Sequence, residues 1–375
     1  MASSGRELKL PEEPVAEIYR CFRCGYCRSA CPTFTAMGSE SWNARGRLML
    51  ARAILEGQVE LSPSLLDRFF SCLACAACEV VCPAVVRVVD ALVAFRQTLV
   101  ASGAPLPERV AELARRLLEE GSPLPGAGER GRQPEAPAGE KAGVLVFPGC
   151  VASGLEPGVV KAIEKLLEAA EVPYSLLEGA CCALPLLKLG FTREARKSME
   201  LLAGRLRSLR PELVLTPCPT CLEALTRYLP QLTGTSVRAE HTSTFLRRLL
   251  REGKLALARR VELKAAYHDP CVLGRLLGIY EAPRELLWEA GLTVLEMPRN
   301  RQESACCGYG CLAFLTYPEL AARIAEERVR EALAVKADVL ATACPSCLHA
   351  LAEAAKSVAR LLAVADVTEV LAELV

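Results

Sequence analysis

The sequence predicts a multi-domain protein in which an α-helical N-terminal domain is followed by a duplicated α/β pair. Three observations predict it. Two matching cysteine runs, each ending in Cys-Pro, stand 51 residues apart with a helix-patterned stretch between them. Beyond a Pro- and Gly-rich linker, strands alternate with helices, which indicates α/β units with parallel pairing. The strand–cysteine pattern of that region occurs twice, as an internal repeat does.

The totals agree with this division. A chain of 375 residues is long for one core, and an apolar fraction of 51% is ample for burial. Net charge is +1, from 45 basic and 44 acidic residues, so no nucleic acid or anionic surface is expected as a partner. The 19 cysteines are the anomaly. Met1 to Leu10 carries no apolar h-region, so no secretory signal is expected. No apolar run reaches the roughly 18 residues of a spanning helix, so no transmembrane span is expected either. The expected location is the cytoplasm, with peripheral attachment at the inner face of the membrane left open. In that setting repeated Cys-x-x-Cys pairs hold metal more often than disulfides.

Residues 1–100 form the first unit. Its runs are Cys21-x2-Cys24-x2-Cys27-x3-Cys31-Pro32 and Cys72-x2-Cys75-x2-Cys78-x3-Cys82-Pro83. Three thiolates at this spacing wrap three irons of a cubane from one loop, and the fourth, next to its proline, serves the other cluster. Two cubane [4Fe-4S] clusters follow: one on Cys21, Cys24, Cys27 and Cys82, the other on Cys31, Cys72, Cys75 and Cys78. Structural zinc sites close at four ligands, and two complete quartets exceed that need. The insert from Ala44 to Glu56 has helical spacing at Leu48, Ala51 and Leu55, unlike the short strands of a compact ferredoxin. Arg23, Arg28, Arg45 and Arg47 either offset cluster charge or form a solvated basic face.

Residues 101–143 hold a helix from Pro107 to Glu120 and a linker, Gly121 to Gly143, with four prolines and six glycines. A formal G-x-G-x-x-G at Gly126, Gly128 and Gly131 follows no strand and reads as chance.

Residues 144–260 and 261–375 are the two repeats. Strands Val144–Phe147 and Ala265–Tyr267 lead to Cys150 and Cys271. Strands Tyr174–Leu177 and Thr293–Glu296 lead to the adjacent pairs Cys181–Cys182 and Cys306–Cys307. Strands Leu213–Thr216 and Val339–Thr342 lead to the turns Cys218-Pro-Thr-Cys221 and Cys344-Pro-Ser-Cys347. Cysteines just past strand carboxyl ends sit where open α/β sheets bind ligands. Proline suits the first helical turn, and a helix N-terminus favours thiolate charge. Five thiols per repeat exceed the four of a cubane, which leaves an atypical cluster or open thiol chemistry. Cys311 has no counterpart in the first repeat and reads as a buried small residue. His268 is placed to hydrogen-bond a cluster sulfur or carry a proton, whereas His241 and His349 have core or surface roles.

From Cys21 to Cys347 the pattern resembles the iron–sulfur subunit of glycolate oxidase and the heterodisulfide reductase D-type proteins. The likeness rests on the two Cys-Pro runs, Arg45–Gly46–Arg47, His268–Asp269–Pro270–Cys271 and Cys306–Cys307–Gly308. It implies that the repeats are CCG domains holding one or two further [4Fe-4S] clusters, non-cubane in heterodisulfide reductase relatives. The ligands implied are Cys150, Cys181, Cys182, Cys218 and Cys221, and Cys271, Cys306, Cys307, Cys344 and Cys347. Cys181–Cys182–Ala183 departs from the pattern by lacking its glycine.

The resemblance implies the iron–sulfur subunit of an oxidoreductase complex, passing electrons from an FAD-binding oxidase or dehydrogenase of a 2-hydroxy acid such as glycolate or lactate to a quinone or other carrier. The chain shows no flavin or nicotinamide site of its own, so hydride chemistry belongs to a partner. The alternative is a catalytic disulfide reductase acting through a CCG cluster, distinguished by its partner. A structural zinc protein, the third class, would be colourless.

Overall fold

A computed structural model of the chain describes residues 10–124 and 143–375; the Gly126–Gly131 motif lies outside them. Asn43 opens the helix Ala44–Leu55 by accepting from the Gly46 amide at 2.7 Å, and Pro63 occupies the first turn of Pro63–Phe70. With Glu12–Tyr19 and Val88–Ala101, these helices bury Ile18, Leu48, Leu66, Phe69 and Phe95 in one core. Each such side chain contributes about 1.5–3 kcal/mol by leaving water. No strand occurs among the described residues before Val144.

Two four-stranded parallel sheets follow. The first contains β1 (Val144–Val146), β2 (Tyr174–Leu176), β3 (Leu213–Thr216) and β4 (Ala239–His241), in the order β2-β1-β3-β4. The second contains β5 (Lys264–His268), β6 (Thr293–Leu295), β7 (Val339–Thr342) and β8 (Ala363–Asp366), in the equivalent order β6-β5-β7-β8. The registers correspond: Val144 faces Leu213 in one sheet, and Ala265 faces Val339 in the other.

In both sheets the chain leaves the central pair in opposite directions, so a crevice opens at the carboxyl ends of β1 and β3, and of β5 and β7. Helices cover the faces. Ile163 and Leu166 of Pro157–Ala169 share a core with Tyr267, Leu286 and Val367 of the second repeat. Phe95 and Leu99 of the N-terminal domain join Leu186 and Met199 of the first repeat. The repeats and the helical domain therefore pack as one body.

Candidate metal centres

The two N-terminal runs wind alike. Left-handed residues flank the middle cysteine at matching places: Arg23 (φ 60°) and Gly25 (φ 92°) in the first, Ala74 (φ 50°) and Ala76 (φ 58°) in the second. A left-handed residue with a side chain costs roughly 1–2 kcal/mol, and alternation of this kind makes a concavity of backbone N–H groups suited to an anion. Cys21, Cys24, Cys27 and Cys82 line one cavity. Cys31, Cys72, Cys75 and Cys78 line a second, and Cys78 also reaches the wall of the first. Each run's last cysteine thus stands at the other run's cavity.

The four nearby arginines divide. Arg47 is buried, with Nη1 facing Cys31 Sγ at 4.0 Å and Nη2 donating to Ser71 Oγ at 3.1 Å. Arg45 lies across the first loop, donating to the Arg23 carbonyl at 2.8 Å and to Glu40 at 2.6 Å. Arg23 and Arg28 are exposed, and Arg28 pairs with Glu40 at 3.4 Å. Charge compensation suits the first two, a solvated face the others.

In the first repeat the thiols form a connected series: Cys150 meets Cys181, Cys182 meets Cys221, and Cys221 meets Cys218. The second repeats it in the same order, from Cys271 through Cys306, Cys307 and Cys347 to Cys344, with 3.3 Å between Cys307 Sγ and Cys347 Sγ. Cys218 and Cys344 are the N-cap residues of helices whose first residues are Pro219 and Pro345. Amides of Thr220 and Cys221 donate to the Cys218 sulfur. Ala183 keeps the left-handed conformation (φ 56°) where its counterpart Gly308 has φ 93°. The missing glycine therefore leaves the thiol series of the first repeat intact.

The donor chemistry fits iron. Burial pushes the Cys78 thiol well up, and Cys75, Cys72 and Cys31 add to this. Burial likewise raises Cys27. Sets of buried thiols cannot all ionise against one another unless cations are shared among them, and a thiolate-bound iron cluster supplies those cations. Among the described residues, no side chain in these cavities carries enough positive charge to balance four or five thiolates.

The sites adjoin one another. The Cys75 thiol meets that of Cys306, and Arg275 Nε donates to the Cys75 carbonyl at 2.7 Å. Cys344 of the second set is close enough to Cys218 of the first to feel its charge. Arg96, fully buried, donates to the carbonyls of Phe69 (2.7 Å), Phe70 (3.2 Å), Cys72 (2.6 Å) and Lys188 (2.9 Å). Cys311 lies 3.9 Å from Arg96 Nη1, in a left-handed turn, and is half-buried beside no cysteine set of its own repeat. Lys188 and Glu223 form a buried ion pair at 2.6 Å, near enough for Lys188 to feel the Cys311 sulfur. Arg96, Arg275 and this pair escape sequence reading, because on amphipathic helices such residues look like solvated charge.

His241 is buried as the N-cap of Thr242–Arg251, its Nδ1 accepting from the Ser243 amide at 3.2 Å. His349 Nδ1 pairs with Glu156 at 2.6 Å, joining the two repeats. Both have structural roles. His268 is buried against Cys307.

A helical domain with two ferredoxin-type runs, fused to two α/β units with five thiols each, defines an iron–sulfur protein of the electron-transfer class. Comparison with known families agrees. The 4Fe-4S dicluster domain matches residues 17–86, and the cysteine-rich CCG domain matches residues 144–226 and 265–352. The chain is 30% identical to the D-type subunit of the dihydromethanophenazine:CoB–CoM heterodisulfide reductase of Methanosarcina mazei, over 95% of this chain and 94% of that one. The Methanosarcina barkeri protein of the same name is 29% identical over the same shares. The glycolate oxidase iron-sulfur subunit of Escherichia coli is 27% identical over 91% of each chain. The chain belongs to this family of heterodisulfide reductase D-type and glycolate oxidase iron–sulfur subunits. Among the described residues no helix is long and apolar enough to cross a membrane.

Proposed function

We propose that this chain is the electron-transfer subunit of a flavin-dependent 2-hydroxy-acid oxidase or dehydrogenase of the glycolate or lactate type. Its partner is an FAD-binding chain, and its acceptor a quinone or other carrier. The observation that carries this reading is the unbroken succession of thiol sites: Cys27 neighbours Cys31, Cys75 meets Cys306, and Cys344 neighbours Cys218. Bound [4Fe-4S] clusters would supply one-electron transfer along such a series. The chain's own residues hold the sites in contact and leave most of the cysteines buried or half-buried. Cys24 is the sole exposed cysteine, set between exposed Phe22 and Tyr26, and marks where the series reaches the surface.

In this reading cubane clusters occupy Cys21, Cys24, Cys27 and Cys82, and Cys31, Cys72, Cys75 and Cys78. One or two further clusters, outside the cubane pattern, occupy the five-cysteine sets, two where both sets hold iron. The units are residues 1–100, 101–143, 144–260 and 261–375, and the complex works in the cytoplasm, either free or attached peripherally at the inner face of the membrane.

Anaerobic purification with untagged partners, followed by iron and sulfide counting, tests it. About 16 irons support four four-iron clusters, and about 12 leave one repeat empty. Fewer than about 8 remove the dicluster assignment as well. A co-purifying FAD-binding chain supports the oxidase role. A second reading, a catalytic disulfide reductase, is favoured by the Methanosarcina relatives being matched over 94% of their length. Reduction of a disulfide by the isolated chain with reduced viologen would select it.

A further inference from the structure

His268 ends β5, three residues before Cys271, and its side chain is wholly buried. One of its ring nitrogens and the sulfurs of Cys307 and Cys347 lie within 4.8 Å of one another. Nε2 is left without a partner of hydrogen-bond geometry within the chain, and the Cys307 thiol lies against the ring. Such a triad admits two roles for the histidine. It can ligate a metal through a lone pair, or donate an N–H to a ligating sulfur.

Arg328 decides between them. Its Nε–H donates to His268 Nδ1 at 3.0 Å. A guanidinium only donates, so Nδ1 must present its lone pair, and a neutral ring then carries its proton on Nε2. Arg328 cannot easily turn away. Its Nη1 donates to the Arg299 carbonyl at 2.8 Å and to Glu331, and its Nη2 to Ser304 Oγ at 3.3 Å. With a guanidinium N–H donating to Nδ1, no proton can sit on that nitrogen, which keeps this single tautomer.

We propose that His268 is a positioning residue that donates Nε2–H to the sulfur of Cys307, its tautomer set by Arg328, and so raises the reduction potential of the second five-cysteine site above that of the first. Hydrogen bonds to ligating sulfurs stabilise the added negative charge of the reduced state. The first repeat has no such donor at the matching place: three residues before Cys150 stands Phe147, equally buried. Two sites of common origin are thereby made unequal, and an electron shared between them rests at the second.

This inference rests on the reading that both sets hold iron. The test is a redox titration of the cluster-loaded full chain followed by EPR, with the second-site signal identified by its loss in Cys347→Ser. His268→Phe is expected to move that site's midpoint downwards with iron content unchanged. His268→Gln, which keeps an N–H donor, recovers part of the shift, and Phe147→His moves the first site's midpoint upwards. Pulsed EPR of wild-type protein labelled with 15N-histidine should show an exchangeable proton and only weak nitrogen coupling at the second site. An unmoved midpoint in His268→Phe overturns the proposal. So does strong coupling from a coordinated nitrogen, or loss of second-site iron in both His268 variants, since either makes the histidine a ligand. A wild-type chain short of one cluster with no signal lost in Cys347→Ser defeats the loading of both sets, and this inference with it.

Discussion

The thiol of Cys75, in the second ferredoxin-type run, meets the thiol of Cys306, in the second five-cysteine set, and this contact holds the Cys75 pKa down to about 6. Two iron-binding loops from different domains thus share a wall. The backbone frame is as close as the sulfurs: Arg275 Nη1 donates to the Ser304 carbonyl at 2.6 Å while its Nε holds Cys75. A side chain at Gly310 would place its Cβ 2.2 Å from the Leu73 carbonyl oxygen.

Gly310→Ala is therefore expected to push the second repeat off the N-terminal domain. Neither partner is a flexible side chain tip, so the backbone must shift, at a cost of about 1–3 kcal/mol. A lower urea midpoint, with faster proteolytic cleavage between the domains, is the measurable result. Wild-type behaviour would show that the two loops are not tightly docked.

Gly308 and Ala183 make a matched pair. Gly308 has φ +93°, and a Cβ there would lie 2.5 Å from the Ala321 carbonyl oxygen. Gly308→Ala should cost more than the roughly 1 kcal/mol of an ordinary left-handed alanine, because strain and clash add. Ala183, at φ 56°, already tolerates its Cβ. Ala183→Gly should change stability by less than about 1 kcal/mol, since relieved strain offsets added chain entropy. Thermal melts of both variants test the contrast, and equal losses would contradict it.

Much of this was legible in the chain because thiol spacing and strand hydrophobicity are local. Leu213–Thr216 and Val339–Thr342 each carry three apolar residues and a threonine and stop two residues before a cysteine, and the structure places strands over those residues. Ala239–His241 is a strand too short and too polar to show alternation, and Ala363–Asp366 leads to no cysteine that would mark it. The π-helical turns at Ala224–Tyr228 and Val272–Leu276, each beside a cysteine set, have no sequence signature. The grouping of cysteines within a repeat follows from strand order. The adjacency of Cys75 to Cys306 does not, because nothing in spacing records how domains dock.

Arg96 is the clearest case of a role hidden from sequence. Its guanidinium gathers carbonyls from Phe69 and Cys72 and from Lys188 in the first repeat, and among the described residues no carboxylate pairs with it. Arg96→Met would strand these acceptors in a dry site, and we expect a loss of about 3 kcal/mol or more. Arg96→Lys keeps the charge without the planar fork and should fall between. Chemical denaturation with iron counting measures both effects. Unaltered stability in Arg96→Met would mean that water replaces the guanidinium at no cost.

His241 gives the chain a dependence on acid that does not pass through the thiols. Burial lowers its pKa from 6.5 to about 4. The cause is visible in its bonds: Nδ1 accepts from the Ser243 amide, and Nε2 lies 3.0 Å from the Pro217 carbonyl it donates to. A proton on Nδ1 would remove the helix cap and leave a charge in the core. Because the folded value lies below the unfolded one, the contribution to stability is complete above about pH 6.5 and is lost as pH falls towards 4. The shift corresponds to roughly 3 kcal/mol across that window. His241→Asn retains a capping side chain but cannot titrate. Urea denaturation of wild type and variant at several pH values should give curves that converge or cross as the solution is acidified, with the wild type losing up to about 3 kcal/mol more. Iron counted at each pH shows how much of either loss is acid release of iron. Parallel curves would show that His241 accepts its proton without disturbing the cap, and the acid sensitivity would then have to lie elsewhere.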